Sequence, residues 1–403
     1  MHTLVPNATG EWDGTLKIRK ATYIAMALVF FLFFSFVTHG QVVKAENDAQ
    51  PISVSAQAAI LMDQTSGRVL YEKNMHKRMR IASITKVMTA ILAIESGKMK
   101  EKVTVSNNAY GTEGSSIYLK KGEKITLRHL VYGLLLRSGN DAAVAIAEKV
   151  AGSVDGFVYL MNQKAREIGM LDTHFANPHG LDDQEDHYST AYDMAILTRY
   201  AMQNPEFRKI FGTKYHKAPN PGEPWDRSWK NKNKLLFRYK YATGGKTGYT
   251  KRAGRTLIST ASKGVMNLIA VTLNDGDDWR DHQNLFNWAF DNYHMMSIVK
   301  KGKVTGIKNP YYKGNLYAHR DLRLPVTERE KAELTTEVTL FKPSKGKRWK
   351  KPPETAGYLE VFIDGEKVSS LPLFYERPVK EQKSFWLSFV HVLTMILGTG
   401  RYG

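Results

Sequence analysis

The chain reads as an α+β protein. It combines one antiparallel sheet built from the two ends of a main domain, a helical cluster inserted between those ends, and a small all-β domain behind. Three observations predict this. Strand-like runs stand before residue 72 and return after Thr243, whereas Ser83 to Met202 is dominated by apolar positions at helical spacing. Strands at both ends of a helical stretch pack most simply as one sheet against the helices. Beyond Asn292 the composition turns basic, Pro-punctuated and strand-like, and 403 residues exceed one typical domain.

Taken in order, Lys17, Arg19 and Lys20 precede the apolar run Ala21 to Val37, and Val43-Lys44-Ala45 puts small residues where a signal peptidase reads. Residues 1–45 are therefore an export signal or a retained membrane segment, and the Val43 and Ala45 pair favours cleavage. After the linker Glu46 to Pro51, the segments Ser53 to Met62 and Arg68 to Tyr71 flank the turn Asp63-Gln64-Thr65-Ser66-Gly67, which predicts a hairpin. Ser83 opens a helix whose apolar face is Val87, Met88, Ile91, Leu92 and Ile94, ending at Ser96-Gly97. A short extended piece is expected at Ile117 to Leu119. Thr126 to Arg137 forms a second helix with Leu127, Leu130, Val131 and Leu134 on one face, and Ala142 to Val150 a third. Arg255 to Ala261 and Met266 to Leu273, with Lys263-Gly264 between them, read as paired strands. This main domain is placed at 46–296.

The β domain is placed at 297–376. Its clearest runs are Glu337 to Leu340, Gly357 to Ile363 and Lys367 to Phe374, and Asp364-Gly365 is the strongest local hairpin signal in the chain. The cluster Lys342, Lys345, Lys347, Arg348, Lys350 and Lys351 reads as a solvated loop or, failing that, as a wall or lipid contact. Residues 377–403 are expected to form an amphipathic helix lying on a membrane surface, with Arg377, Lys380 and Lys383 before an apolar face that carries Trp386.

A formal net charge of +19 would suit nucleic acid, but an exported chain meets anionic lipid head groups, anionic wall polymers and peptidoglycan peptides instead. No nucleic-acid partner is expected. The absence of Cys removes disulfides, thiolate metal sites and cysteine catalysis. His174, His179, His187 and His282 are spread over loops without the i, i+4 pairing of a zinc helix, so no catalytic metal and no cofactor is expected. His179 and His187 are read as stabilising a loop.

Three short motifs occur in one order: Ser83-Ile84-Thr85-Lys86, Ser138-Gly139-Asn140 and Lys246-Thr247-Gly248. Residues three apart on a helix lie about 5 to 6 Å apart at Cβ, so the Lys86 amine can reach the Ser83 hydroxyl. Serine needs such a base to become a useful nucleophile, and lysine serves only if burial and nearby positive charge lower its pKa. Taken alone, Ser83 would be a helix cap, Ser138-Gly139-Asn140 a turn between helices, and Lys246 a solvated lysine on a sheet edge. Together they are the residue set of an acyl-transfer enzyme.

On these motifs the chain resembles the penicillin-binding serine D-alanyl-D-alanine carboxypeptidases, peptidase S11 family. The resemblance runs from Ala56 to about Asn292 and includes Leu136-Arg137-Ser138-Gly139-Asn140-Asp141-Ala142-Ala143, Asn177-Pro178-His179-Gly180-Leu181, Tyr188-Ser189-Thr190-Ala191 and Gly244-Gly245-Lys246-Thr247-Gly248-Tyr249-Thr250. It is most similar to the branch that spore-forming bacteria use on spore-cortex peptidoglycan. The resemblance implies a penicillin-binding, β-lactamase-like catalytic fold and a peptidoglycan stem peptide as substrate. It implies Ser83 as nucleophile, Lys86 as base, Ser138 as proton relay to the leaving amine, and Asn140 as the holder of Lys86 and the substrate amide. Lys246 would supply positive field and Thr247 would bind the substrate's terminal carboxylate. Gly248 would let the substrate backbone approach, and the N–H groups of Ser83 and Tyr249 would bind the oxyanion. β-Lactams would acylate and inhibit. Some members use an arginine beyond the third motif; the register through Asp277-Asp278-Trp279-Arg280-Asp281-His282 leaves Arg280 outside the site.

Two rivals are weighed. A class A β-lactamase would carry a deacylating Glu in the window Thr173-His174-Phe175-Ala176-Asn177, which has none, and the next Glu is Glu185 in an acidic loop. A β-lactam sensor or wall-binding scaffold would acylate without turnover, but every motif residue is present.

Overall fold

The computed structural model describes residues 52–376 except 308, 313 and 344–352. The export segment 1–45, most of the basic cluster at 342–351 and the surface helix at 377–403 lie outside the described residues.

Strand β1 (Ala58–Asp63) is buried throughout, and β2 (Val69–Lys73) returns antiparallel to it. A 3₁₀ turn (Ala82–Thr85) leads into α1 (Lys86–Glu95). Then come β3 (Lys102–Thr104), α2 (Asn107–Tyr110), β4 (Lys124–Thr126), α3 (Leu127–Arg137), α4 (Asn140–Ala151), α5 (Val154–Glu167), α6 (Ala191–Ala201) and α7 (Pro205–Phe211). The hairpin β5 (Tyr215–Ala218) and β6 (Arg227–Lys230) and the short α8 (Leu235–Arg238) precede three long strands, β7 (Ala242–Thr250), β8 (Gly254–Lys263) and β9 (Met266–Leu273), and then α9 (Asp278–Asn292).

The main sheet has the order β2-β1-β9-β8-β7, so the first strands pair with the last, as expected, and β7 stands at an edge. Side chains alternate across a strand, and here the alternation divides two cores. Ala58, Ile60 and Met62 of β1, with Ile269 and Val271 of β9, join the helical cluster. Ala59, Leu61, Leu268 and Ala270 face the other way, against Leu285, Phe286 and Ala289 of α9. Burial on both faces explains why β1 is almost uniformly apolar. The covering of the second face by α9 was not foreseen.

Local corrections concern short elements. Ile117 to Leu119 forms no strand; the nearby pair is β3 with β4. Strands also return earlier than Thr243, at β5 and β6, where Trp229 is buried. Helix α4 starts at Asn140, two residues before the expected Ala142.

Beyond α9, β10 (His294–Val299) pairs with β13 (Leu322–Val326), and β11 (Gly302–Val304), β12 (Leu316–Ala318), β14 (Leu334–Leu340), β15 (Thr355–Ile363) and β16 (Glu366–Tyr375) form a sheet of order β11-β12-β16-β15-β14. Its own core holds Leu322, Leu324, Val361 and Leu373. The Asp364-Gly365 turn joins β15 to β16 with φ of 51° and 77°, the left-handed pair that a type I′ hairpin requires. Helix α10 (Glu328–Glu333) starts with a capping box between Thr327 and Glu330.

Candidate active site

The Ser83 turn is set by its neighbours. Ala82 holds a left-handed φ of 47°, uncommon for a residue with a Cβ and a mark of local strain. Gly180 (φ 84°) packs against it so closely that a Cβ there would stand 1.9 Å from the Ala82 carbonyl oxygen. The loop carrying Gly180 is tied down in turn, since the Gly180 N–H donates to Asn177 Oδ1 at 2.6 Å and Thr89 Oγ1 donates to the Pro178 carbonyl at 2.6 Å. Ser83 makes no helix cap; its hydroxyl lies 3.4 Å from the His179 carbonyl and faces Lys86.

Lys86 is wholly buried and its Nζ meets three oxygens: Ser83 Oγ at 2.8 Å, Asn140 Oδ1 at 2.8 Å and the His179 carbonyl at 2.5 Å. Two of these are pure acceptors. Asn140 cannot turn its amide over cheaply, because its Nδ2 donates to the Glu113 carbonyl at 2.6 Å. A neutral amine therefore spends both N–H groups on the two carbonyl oxygens and presents its lone pair to the Ser83 hydroxyl.

Ser138 caps the C-terminus of α3 in the left-handed region, φ 67°, and is buried. That conformation turns its Oγ to Lys246, whose Nζ donates to it at 3.0 Å and also to the Thr247 carbonyl. Asp141 fixes the adjoining loop: its carboxylate accepts from Ser116 Oγ at 2.6 Å and from the N–H groups of Ile117 and Leu119, both at 3.1 Å. Gly248 brings β7 against the serine turn; a Cβ there would lie 2.9 Å from the Ser83 backbone nitrogen and 2.4 Å from Thr256 Oγ1. Thr256 Oγ1 in turn donates to the Ile81 carbonyl at 3.0 Å, fastening β8 to the same turn.

Burial first, then the charges of Lys246 and Lys232, holds the Lys86 pKa well below the ordinary lysine value. Burial and the charge of Lys232 bring Lys246 down to about 7. Lys232 is itself lowered by burial and by Arg137, and its Nζ donates to Ser115 Oγ at 3.3 Å. Lys232 thus presses both buried amines toward neutrality, and Lys246 adds to its effect on Lys86.

A cleft of about 480 Å³ is lined by Ser83, Ser138, Thr247, Gly248 and Tyr249, the last two-thirds exposed. The same cleft is lined by Ser115, Lys232, Arg255, Asp278 and Trp279. These five were not singled out from the sequence, where each is an isolated side chain without a local pattern. Arg280 pairs with Asp277 at 2.7 Å and does not line the cleft. His187 Nδ1 accepts from the Ala176 N–H and its Nε2 lies 2.8 Å from Thr85 Oγ1, while burial lowers its pKa to about 4. Burial and Lys86 lower His179 to about 3. Both are neutral struts of the loop. Glu185 is engaged by Arg80 and Arg252, each at 2.6 Å.

A serine and a lysine converging on one cleft beneath an edge strand, with a second Ser–Lys contact across it, define a serine acyl-transfer enzyme of the penicillin-binding class. The chain belongs to the D-alanyl-D-alanine carboxypeptidase family, peptidase S11, whose model matches residues 44–277; residues 293–381 match the C-terminal domain of penicillin-binding protein 5. It is 38% identical over 260 residues to the D-alanyl-D-alanine carboxypeptidase DacF of Bacillus subtilis, covering 62% of this chain and 65% of DacF. It is 31% identical to DacC of Escherichia coli over 84% of this chain and 87% of that protein. Among solved structures, penicillin-binding protein 5 from Haemophilus influenzae superposes with a TM-score of 0.69 at 29% identity, covering 80% of this chain and 97% of that one.

Proposed function

We propose that the protein removes the terminal D-alanine from peptidoglycan stem pentapeptides, with Ser83 as nucleophile. The observation that carries this is the Lys86 amine, buried, held by two carbonyl oxygens and 2.8 Å from Ser83 Oγ. Lys86 takes the hydroxyl proton as Ser83 Oγ attacks the carbonyl of the penultimate D-alanine. The oxyanion is received by the N–H groups of Ser83 and Tyr249, where losing one donor costs on the order of 3 kcal/mol of barrier. Ser138, bonded to Lys246, passes a proton to the leaving nitrogen. The C–N bond breaks, D-alanine departs, and water releases the acyl group from Ser83. Thr247 reads the terminal carboxylate, and Asn140 holds both Lys86 and the substrate amide.

Residues 46–296 form the catalytic domain in this reading and 297–376 a β domain, with 377–403 as a surface anchor on an exported protein. Penicillin should acylate Ser83 and leave slowly. The carboxylate that a class A β-lactamase would need is not supplied by Glu185, which is occupied by two arginines. The spore-cortex assignment rests on the resemblance of the motif segments to the sporulation branch, and DacF is among the relatives matched.

The test is Ser83→Ala. It should abolish both D-alanine release from diacetyl-Lys-D-Ala-D-Ala and labelling by fluorescent penicillin while leaving the melting temperature unchanged. Persistent labelling would remove Ser83 from the mechanism. Labelling of the wild type without D-alanine release would favour the sensor.

A further inference from the structure

The walls of the catalytic cleft continue past Ser115, Ser138 and Lys232. One or two residues along the chain from each of these, Ser116, Arg137 and Lys230 line a second pocket of about 520 Å³, which Tyr118 and Trp225 also line. Three chain segments thus pass from one wall to the other, and the two pockets adjoin. The acyl-transfer chemistry at Ser83 uses nothing in the second one.

Its two large rings are placed against the ordinary preference for burial. Tyr118 is 82% exposed and Trp225 62%, whereas apolar surface is stabilised by leaving water. Tyr118 also holds a left-handed φ of 59°, a strained backbone for a bulky residue. The loop keeps that conformation because it is pinned. The Tyr118 N–H donates to Ser116 Oγ at 2.8 Å, its carbonyl accepts from Arg227 Nη2 at 3.1 Å, and the buried Asp141 carboxylate takes the N–H groups of Ile117 and Leu119 on either side. The loop carrying Trp225, which joins β5 to β6, is fastened to the same structure. Arg227 and Glu123 form a buried ion pair, with Nη2 donating to Oε2 at 2.8 Å, and Lys120 Nζ donates to the Pro221 carbonyl at 3.2 Å and to Glu223 at 3.0 Å. Two loops distant in sequence are locked together so that each brings one exposed ring to a common pocket.

The lining selects the class of ligand. Tyr and Trp offer flat apolar faces with a polar edge, which suit a ring that is itself apolar on its faces and polar at its rim. Asp226, Ser228, Arg137 and Lys230 add donors and acceptors of both signs. A carboxylate in the set disfavours a polyanion, and so many polar groups disfavour an acyl chain. A pyranose meets both demands. Four stem residues separate the scissile bond from the amino sugar that carries the stem, about 14 Å when extended, so a pocket adjoining the catalytic cleft lies on the path of the substrate.

We infer that the pocket between Tyr118 and Trp225 is a saccharide subsite, which takes the amino sugar of the glycan strand whose stem peptide is cut at Ser83. This rests on the carboxypeptidase reading and extends it from the peptide end to the glycan.

The experiment measures binding to full-length Ser83→Ala protein by calorimetry. The probes are N-acetylglucosaminyl-N-acetylmuramoyl pentapeptide and the same pentapeptide without sugar. The sugar-bearing probe should bind more tightly, and adding Trp225→Ala should reduce its advantage by roughly 3- to 10-fold, the usual worth of one aromatic contact. Trp225→Phe should retain most of the advantage. Tyr118→Asn, which puts a residue tolerant of the left-handed backbone at that position, should reduce it as Trp225→Ala does. With Ser83 restored, the ratio of KM values for the two substrates should shift in the same way. Equal affinity for the two probes would overturn the inference. So would an advantage that survives both Trp225→Ala and Tyr118→Asn, or an equal loss on both probes, which would make the rings structural. A wild type that releases no D-alanine would overturn the carboxypeptidase reading, a separate outcome, and the binding ratio would still decide the pocket.

Discussion

Asn140 Oδ1 and Lys86 Nζ lie 2.8 Å apart, and the amide is locked in that sense by the bond from its Nδ2 to the Glu113 carbonyl. The contact gives a neutral Lys86 an acceptor without adding charge. Asn140→Ala should slow penicillin acylation by roughly 10- to 100-fold, the value of one hydrogen bond to a group that carries charge in part of the cycle. Asn140→Asp is more diagnostic. A carboxylate at that distance favours the protonated amine and raises the Lys86 pKa, so the acid limb of the acylation profile should move to higher pH and activity should recover as the solution is made alkaline. Asn140→Ala should show no such recovery. Profiles of the two variants that superpose would mean that Lys86 is not the group titrating.

Lys232 offers the opposite perturbation. It lowers both Lys86 and Lys246 through its charge, so Lys232→Ala should let both pKa values rise. A base must be deprotonated to act, hence the variant should lose acylation rate most at acid pH and least at alkaline pH, while Lys232→Arg should keep the wild-type profile. The measurement is the second-order rate constant of penicillin labelling across pH. A loss uniform with pH would make Lys232 a substrate contact and nothing more.

How much of this was legible follows from the range of the interactions. Ser83 with Lys86 is a one-turn relation on a helix start, readable from spacing; the Asp364-Gly365 turn is a local backbone requirement, equally readable. The meeting of β1 with β9 was inferred because strands flank the helices. Lys232 and Arg255 carry no local signal. Lys232 arrives through a bond from its N–H to the Leu136 carbonyl, and Arg255 through its register opposite Tyr249. Such partners are set by chain segments distant in sequence. The early start of α4 at Asn140 was missed for a different reason: Gly139 read as a breaker, whereas it serves as the extended residue before the first helical turn, with φ −61° and ψ 121°.

Arg68 links the catalytic sheet to the β assembly. Its guanidinium donates to Glu330 at 2.6 and 3.1 Å and to the Pro325 carbonyl, and it lies 5.8 Å from the centre of the Tyr293 ring. Both side chains of the ion pair are about nine-tenths buried. Removing one member leaves the other charge uncompensated, at a cost of about 3 to 5 kcal/mol. Arg68→Ala should therefore lower stability in urea by about that amount, with kcat on small peptides unchanged, because neither residue lines the catalytic cleft. Arg68→Met together with Glu330→Gln, which keeps an acceptor for the Thr327 N–H without the charge, should recover most of the loss. If the single variant melts like the wild type, the pair does not hold the two parts together.

The last prediction concerns residues 377–403, which the sequence alone addresses. Phe385, Trp386, Leu387, Phe389, Val390, Val392, Leu393, Met395, Ile396 and Leu397 would cover most of a helix from Ser384 to Gly398, leaving Ser384, Ser388, His391 and Thr394 as a narrow polar stripe. At 1.5 Å per residue that helix is about 22 Å long, short of the roughly 30 Å hydrocarbon core. It should lie in the interface, with Arg377, Lys380 and Lys383 at anionic head groups and Trp386 at the boundary. Among the described residues no helix is long and apolar enough to cross a membrane. Deleting residues 380–403 from protein lacking its export segment should release it from vesicles of anionic lipid, as read by sedimentation, with turnover on small peptides unchanged. Continued sedimentation of the truncated protein would place the membrane contact elsewhere, with the basic cluster at 342–351 the next region to test.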